Sequence, residues 1–257
     1  RVAICEQVED PKLAKGIVKR EVVELLSPGT AIADKYLNYD ENNYLCSIYI
    51  KRNNFGYAIL DYSTGEFSSG KNNIKELYNT LNQYKISEVI LCKKQTQYLD
   101  QSLIKNILIT SYHDWIATQD NCYEKLLDHF GTNSLKGFGL DKDDLEVIAS
   151  GTALSYVENN FFGKVKHITS LSKIRRNNVM RIDPSTLKNL ELFQSLSSDG
   201  DHGTLISTID HTKTPMGARL LKKHIRAPLL SKNKINNRLK LVEEFINKYV
   251  DNNIISD

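Results

Sequence analysis

Patterns that favour β-strands lie before Gly163, apart from a short run at residues 178–182, and helical patterns dominate the rest of the chain. From Tyr44, continuous or alternating apolar residues predict three successive strands, after which helices alternate with one more buried strand. Consecutive antiparallel strands followed by βα units favour a mixed sheet with helices on its faces. With 257 residues, the chain is long enough for two ordinary domains. We therefore expect an α/β domain followed by an all-α part.

Apolar periodicity places the individual elements along the first part of the chain. Strands are expected at 2–5, 18–26, 44–50, 55–62 and 89–92, with a further short strand that ends at Phe67. Apolar residues at i, i+3, i+4 and i+7 predict helices at 74–81 and 123–130, and a longer one from Leu145. Residues 1–30 carry too little apolar surface for an independent core, so we expect them to fray or to dock on a neighbour. The polar residues 34–43 are the best candidate for a linker.

Two helix starts in the second part of the chain are marked by proline. Asp183 precedes Pro184 and Thr214 precedes Pro215, and each pair places a side-chain acceptor at the N-cap and proline at the first helical position. Helices are expected at 184–196, 204–210, 215–225 and 232–249.

Composition and charge exclude several classes of protein. Hydrophobic residues make up 40% of the chain and charged residues 25%, which is typical of a globular protein. The apolar runs are far shorter than the roughly 20 residues that cross a bilayer. The net charge of +3 is too close to balance to predict nucleic-acid binding by itself. The cysteines are isolated in sequence and are predicted to be buried thiols of a cytoplasmic protein; they are Cys5, Cys46, Cys92 and Cys122.

Several motifs, taken in order, resemble one family. The run Asp-x-x-Thr-x-x-Asn-Leu-Glu-Leu from Asp183 and the run Thr-Pro-Met-Gly-x-Arg-Leu-Leu from Thr214 resemble the opening of the helical core domain of MutS-type DNA mismatch repair ATPases. Residues 1–30, with Ile-Cys-Glu-Gln-Val-Glu-Asp-Pro and Ser-Pro-Gly-Thr, resemble the end of the family's mismatch-recognition domain. Residues 55–67 and the Gly-Phe-Gly run at 137–139 resemble its connector domain.

The resemblance implies that the chain is a fragment with four parts. These are a C-terminal remnant of the mismatch-recognition domain (1–30), a linker (31–43), an RNase H-like connector domain (44–166) and the N-terminal part of the helical core or lever domain (167–257). The family's mismatch-reading Phe-x-Glu motif is expected upstream of Arg1, and further lever helices and a clamp after Asp257. The parent protein would bind mismatched duplex DNA, form a homodimer or a larger assembly, and dock a MutL-type partner.

The resemblance also places ATP and magnesium in a domain of the parent protein outside this chain. The sequence contains no Gly-x-x-x-x-Gly-Lys-Ser/Thr run, whose backbone amides would bind nucleotide phosphates. We therefore expect no cofactor, metal or catalytic residue in this segment and no ATP hydrolysis. Its expected role is mechanical, as a relay between the mismatch-binding and ATPase domains.

Two groups of basic residues are candidates for contacts with DNA phosphates. The first lies in the remnant of the mismatch domain and consists of Lys12, Lys15, Lys19 and Arg20; its alternative is ordinary loop charge. The second is one stripe of the helix from Pro215 and consists of Arg219, Lys222, Lys223 and Arg226, opposite Ala218, Leu220, Leu221 and Ile225. For this stripe we favour a solvated helix face.

The helix predicted from Tyr123 offers a candidate surface for the MutL-type partner. Its apolar residues Tyr123, Leu126, Leu127 and Phe130 are expected to face inward, which leaves Asn121, Glu124, Lys125 and Asp128 on the opposite face. A plain solvent-exposed face is the alternative, and spacing alone does not separate the two.

A metal-dependent RNase H-like nuclease is the main alternative function. Such enzymes gather acidic residues around two divalent metals, and Asp61, Glu66, Asp141, Asp143 and Asp144 supply that chemistry. However, that chemistry needs its central ligand on the first strand of the sheet, and the first predicted strand carries no acidic residue. We therefore disfavour the nuclease function. A MutS relative that acts in recombination is also disfavoured, because residues 1–30 resemble a mismatch domain. The histidines are scattered and are expected to be structural or at the surface.

Overall fold

The computed structural model describes residues 1–10, 16–31, 40–84, 86–99, 107–174, 179–180, 182–197 and 202–250. The chain divides into two compact units, Arg1–Ile174 and Arg175–Asp257. Among the described residues, the first unit holds the strands and three α-helices, and the second holds four α-helices. The expected order of an α/β part followed by a helical part is confirmed. No described helix combines the length and the apolar character needed to span a bilayer.

The first unit contains a two-stranded ribbon and a six-stranded mixed sheet. The ribbon consists of β1 (Val2–Gln7) and β2 (Arg20–Leu26), which are antiparallel. The sheet consists of β3 (Tyr44–Lys51), β4 (Asn54–Asp61), β5 (Glu66–Asn73), β6 (Ile86–Cys92), β7 (Leu108–Tyr112) and β8 (Ser172–Lys173). Its strand order is β7-β6-β3-β4-β5-β8. Strands β3, β4 and β5 form an antiparallel meander, whereas β6 is parallel to β3, β7 to β6 and β8 to β5.

Helices cover both faces of the sheet and enclose two hydrophobic cores. Helix α1 (Leu77–Gln83), entered through a 3-10 turn at Ile74–Glu76, covers one face. Helices α2 (Gln119–Phe130) and α3 (Leu145–Asn160) cover the other. Because successive side chains of a strand point to opposite faces, strands covered on both sides are apolar at nearly every position. This explains the continuous apolar run of β3.

Helix α3 lies unusually close to its neighbours, and 12 of its 16 residues are buried. A Cβ atom at Gly56 in β4 would lie 2.4 Å from the carbonyl carbon of Leu145, at the start of α3. A Cβ atom at Gly151 would lie 2.5 Å from the Cβ of Cys122 in α2. Both glycines are therefore needed for the close packing of α3, since real Cβ atoms do not approach so closely.

The ribbon ends in a 3-10 turn at Pro28–Thr30 that packs against β3 and β6. Residues 27–30 thus dock on the sheet, one of the two outcomes expected for residues 1–30. Cys5 in β1 is exposed, so the prediction that it is buried is wrong, whereas Cys46, Cys92 and Cys122 are buried as predicted. The reason is that a two-stranded ribbon has no second layer to cover Cys5.

In the second unit, the described helices are α4 (Pro184–Asn189), α5 (Leu205–Ile209), α6 (Pro215–Arg226) and α7 (Lys232–Phe245), which continues as a π-helical turn at Ile246–Val250. Asp183 caps α4 and Thr214 caps α6 through bonds to the backbone amides of Thr186 and Gly217, as predicted. The prediction that the first helix continues to residue 196 is wrong. It ends at Asn189 because Glu191 adopts a left-handed conformation (φ 46°).

The sheet differs from the sequence prediction at its edges. Strand β5 continues to Asn73 rather than ending at Phe67, and β7 and β8 were not predicted. Because β8 pairs with β5, the boundary expected after residue 166 lies inside the first unit. Of the strand predicted at 178–182, the described residues show an isolated bridge between Val179 and Leu229. The central part of the linker, residues 32–39, lies outside the described residues.

Candidate functional site

A fully buried carboxylate, that of Glu88 in the middle of β6, joins four segments of the first unit. Its Oε2 accepts hydrogen bonds from the Ser27 hydroxyl and from the Gly29 backbone amide, the latter at 3.1 Å. Its Oε1 accepts from the Thr110 hydroxyl at 2.7 Å and from the Tyr156 hydroxyl at 2.6 Å. Glu88 therefore connects the end of the ribbon to β6, β7 and α3.

The turn that reaches Glu88 is set by its local sequence. Ser27 and Thr30 form a capping box around Pro28, with the Ser27 amide donating to the Thr30 hydroxyl at 3.1 Å. A Cβ atom at Gly29 would lie 2.7 Å from the Cβ of Glu88, so only glycine fits there. At the other side, burial and the hydrogen bond to Glu88 raise the pKa of Tyr156. Sequence analysis missed this site, although a single Glu within the apolar strand β6 was a usable signal.

A second set of hydrogen bonds ties the two ends of the linker together. The side-chain amide of Asn43 donates to the backbone carbonyl of Pro28 at 2.6 Å. The buried carboxylate of Asp61 accepts from the Asn42 side chain at 2.7 Å and from the Asn43 amide at 3.3 Å. The contact with Glu88 is therefore reinforced where the chain enters β3.

The opposite end of α3 carries another buried carboxylate. Lys173 in β8 reaches Asp144 at 3.1 Å and Glu146 at 3.5 Å, and Glu146 is 2% exposed. Burial alone lowers the pKa of Lys173, but the hydrogen bond to Asp144 and the charge of Glu146 raise it overall. Lys173 thus fastens the edge strand β8 to the start of α3, close to the end of the first unit.

The basic residues predicted to contact DNA are not gathered into one site among the described residues. Lys12 and Lys15 lie outside the described part of the chain. Lys19 and Arg20 are exposed, and Lys19 pairs with Glu21 at 2.5 Å. The exposed position of Lys19 and Arg20 is compatible with either interpretation of these charges.

The outward face of α2 differs from the predicted one at a single residue. Asn121, Glu124 and Asp128 are exposed as expected, and the apolar residues of α2 pack against the core. Lys125, however, is half-buried and forms an ion pair with Glu158 of α3. Its placement on the exposed face is wrong, because α3 lies beside α2 and covers that position.

Two members of the basic stripe of α6 take part in packing, whereas we predicted a solvated face. The guanidinium group of Arg226 lies over the ring of Phe193, 4.0 Å from its centroid. Arg219 is half-buried, and its Nε has no hydrogen-bond partner in the described part of the structure. Leu220, predicted to face inward, is 53% exposed. Ala218, also predicted to face inward, is buried as expected.

The acidic residues of the nuclease alternative take structural roles or remain apart. Asp61 binds the residues around the β4–β5 turn, and Glu66 accepts a hydrogen bond from Tyr44 at 3.1 Å. Asp144 pairs with Lys173, while Asp141 and Asp143 are exposed. No group of three His, Cys, Asp or Glu residues in the described ranges is arranged to hold a metal ion. Nothing in this arrangement supports nuclease chemistry.

Comparison with known proteins relates the whole chain to one family. Three family models match in order: MutS domain I at residues 1–35, MutS domain II at 43–169 and MutS domain III at 185–257. The DNA mismatch repair protein MutS of Salinibacter ruber is 39% identical over 249 residues, which cover 95% of this chain and 27% of that protein. The protein of the same name from Bacteroides fragilis is 38% identical over 257 residues, 100% of this chain and 30% of that protein.

Among solved structures, the Fowlpox virus resolvase in complex with Holliday junction DNA aligns with 45% of this chain and 97% of its own, at 18% identity and a TM-score of 0.32. This likeness is too low to carry an argument about fold. The chain spans less than a third of the length of the curated relatives it matches. The ordered domain matches and the full-length similarity to these relatives show that the chain belongs to the MutS family.

Proposed function

We propose that this chain acts in DNA mismatch repair as the connecting segment of a MutS protein. The support is the ordered match to three MutS domains and the similarity to relatives that are DNA mismatch repair proteins. On this proposal, recognition of mismatched duplex DNA and hydrolysis of ATP with magnesium belong to the whole protein, and this segment has no catalytic step of its own. Assembly into a homodimer or larger oligomer and a cytoplasmic location are parts of the same proposal.

The proposed architecture follows the order of the domain matches. Residues 1–30 would end the mismatch-recognition domain, 31–43 would link it to the connector, and the connector would have an RNase H-like fold. An antiparallel β3-β4-β5 meander with β6 added in parallel beside β3 supports that fold. We place the start of the helical core domain after β8 rather than at residue 167, since β8 completes the sheet.

The observation that carries the proposed relay is the buried carboxylate of Glu88. The last turn of the mismatch-domain remnant contributes two of its four hydrogen-bond donors, and the connector contributes the other two. A movement of residues 27–29 would therefore act on β7 and α3 through the Glu88 carboxylate. This gives the proposed coupling a physical element that a test can address.

The relay is tested in a full-length MutS protein that carries this segment. Glu88→Gln should leave the affinity for a G·T heteroduplex unchanged and reduce the mismatch-stimulated exchange of ADP for ATP. The matched control is Glu124→Gln, which removes the same charge from an exposed residue. Normal exchange in the Glu88→Gln protein would rule out a relay through this contact.

We also propose that Asn121, Glu124 and Asp128 of α2 form a docking face for a MutL-type partner. Titration calorimetry with the N-terminal ATPase domain of the cognate MutL should show binding that weakens in Glu124→Arg/Asp128→Arg. Glu243→Arg/Glu244→Arg on α7 makes the same charge change elsewhere and should bind normally. If the unsubstituted protein and both double variants bound equally well, α2 would be excluded from the interface. Lys125 is left out of this docking face because it is paired with Glu158.

Contacts of Lys12, Lys15, Lys19 and Arg20 with DNA phosphates remain a proposal of the same kind. Each phosphate neutralised on duplex DNA adds about 0.9 to the slope of log affinity against log salt. Alanine substitution of these four residues in the full-length protein should therefore lower that slope. An unchanged slope would assign them to ordinary surface charge.

A further inference from the structure

The loop that follows α3, residues 161–167, presents an aromatic ring and two lysines to solvent. Phe161 and Val165 are buried, whereas Phe162 is 54% exposed and Lys164 and Lys166 are exposed. The two buried side chains therefore anchor the loop, while the residues between and after them are displayed to solvent. Neither the proposed relay nor the α2 docking face uses this loop.

Phe162 is held in an unfavourable conformation. Its φ angle is +49°, in the left-handed region that bulky residues rarely occupy. Gly163, with φ +84°, follows it in the same region. The Gly163 amide closes α3 with a hydrogen bond to the Glu158 carbonyl at 2.9 Å, a helix end that places residue 162 in the left-handed region, and glycine or asparagine would occupy that position with less strain. The helix end therefore accounts for the backbone conformation but not for an exposed phenylalanine at this position.

The loop is rigidly supported in spite of its exposure. The ring of Tyr62 stacks on Phe161 with the centroids 3.7 Å apart, and the Tyr62 hydroxyl donates to the Lys164 carbonyl at 2.6 Å. The ring of His167 bonds the Tyr62 carbonyl oxygen at 2.6 Å. These contacts fix the backbone on both sides of Phe162, so a ligand would meet a preformed surface and would lose little affinity to ordering the loop.

The charge of the loop selects an anionic ligand. Lys164 and Lys166 form no ion pair with a carboxylate of the described residues. The nearest acidic residue along the chain toward α3, Glu158, is already paired with Lys125. Two lysines without an ion pair, within four residues of an exposed aromatic ring, match a polymer that alternates phosphates with planar rings.

We propose that the loop 161–167 binds single-stranded DNA, with an unpaired base stacked on Phe162 and phosphates contacted by Lys164 and Lys166. A duplex is a poor ligand for this surface because its base faces are covered by neighbouring bases. This site goes beyond the proposed function, which concerns mismatched duplex DNA and coupling between domains.

The test measures fluorescence anisotropy of a short labelled oligothymidylate with the 257-residue chain at low salt. Phe162→Gly should weaken binding about tenfold, the loss of one stacked base, without lowering the midpoint of thermal unfolding, since glycine accepts the left-handed conformation. Lys164→Glu/Lys166→Glu should weaken binding and lower the salt slope by about 1.4, or about 0.7 for each phosphate on a single strand. Lys51→Glu/Lys75→Glu, the same charge change on exposed residues elsewhere, should bind normally.

Three results would overturn the proposal: wild-type affinity in Phe162→Gly, equal weakening in both double lysine variants, or equal affinity for a fully paired duplex of the same length. Equally effective competition by polyaspartate would show attraction to any polyanion and would also overturn it. Each result leaves the mismatch repair proposal intact, because that proposal is tested by heteroduplex binding and nucleotide exchange in the full-length protein.

Discussion

Replacement of Glu88 by alanine removes the acceptor of four hydrogen-bond donors. The Ser27 hydroxyl keeps a partner, because Thr30 Oγ1 lies 2.8 Å away, and the Tyr156 hydroxyl lies 3.5 Å from Ser27 Oγ. The buried Gly29 amide and the part-buried Thr110 hydroxyl lose the bonds to Glu88. A buried donor left without a partner costs about 1–3 kcal/mol, so the substitution should lower the free energy of unfolding by about 2–4 kcal/mol.

Glutamine at position 88 separates the effect of charge from that of hydrogen-bond geometry. Its carbonyl oxygen can accept from the Gly29 amide, while its NH₂ group donates to the hydroxyls of Thr110 and Tyr156, which accept equally well. The charge assistance is lost, and the Thr110 and Tyr156 hydroxyls no longer have an acceptor in residue 88, so Glu88→Gln should cost about 1–2 kcal/mol. Alanine should therefore be clearly more damaging than glutamine.

Urea unfolding followed by tryptophan fluorescence measures both variants. Trp115 is the single tryptophan of the chain and lies in the first unit, so its signal reports on the unit that contains Glu88. Glu124→Ala is the control, because that carboxylate is exposed. If Glu88→Ala cost less than about 1 kcal/mol, the four hydrogen bonds would not hold the ribbon turn to the sheet.

Three further predictions concern packing, thiol reactivity and acid stability. Gly151→Ala should destabilise the first unit by about 1–3 kcal/mol through overpacking against α2, whereas Gly137→Ala, where a Cβ meets nothing within 4 Å, should change urea stability little. Iodoacetamide should label one thiol per native chain, that of Cys5, since the others are buried and burial raises the pKa of Cys122 to about 11; mass spectrometry of more than one label would contradict this. Hydrogen bonds within the first turn of α4 lower the pKa of Asp183. Its stabilising effect should be complete above the ordinary Asp pKa of about 3.9 and be lost as pH falls toward the lowered value. The protection of the α4 amides, taken as their exchange rate relative to the intrinsic rate at the same pH, should therefore fall in acid, and protection that does not change with pH would refute the cap.

The central elements were predictable because their signals are local. The continuous apolar run of β3 and the proline-marked caps at Asp183 and Thr214 act through neighbouring residues, and the structure places them as expected. The edge strands were not predictable in the same way. Strand β8 is two residues long and exists because it pairs with β5, about a hundred residues earlier in the chain.

Most of the candidate site could not be predicted from the sequence, because it depends on long-range contacts. Glu88 lies just outside the strand predicted at 89–92, and its donors come from positions 27, 29, 110 and 156. Helical spacing alone assigned Lys125 to the exposed face, and its burial against α3 follows from the packing of the two helices. Patterns along one element predict its inward face, while contacts between elements decide which outward residues stay exposed.

Helix α3 connects two buried carboxylates of the first unit, those of Glu88 and Glu146, and this connection makes a specific prediction about coupling. Tyr156 near its end binds Glu88, and Glu146 near its start lies beside Lys173. The step of ten positions from Glu146 to Tyr156 corresponds to about 15 Å of helix, a separation at which effects on stability are additive. Because α3 is buried along most of its length and packed too closely to shift alone, a displacement at one end should reach the other. In a full-length MutS protein, the effects of Glu88→Gln and Lys173→Met on the free energy of unfolding should therefore be additive. Their effects on mismatch-stimulated nucleotide exchange should not be additive. The second substitution should do little once the first has broken the path. Additive losses in both measurements would mean that the two ends of α3 act separately.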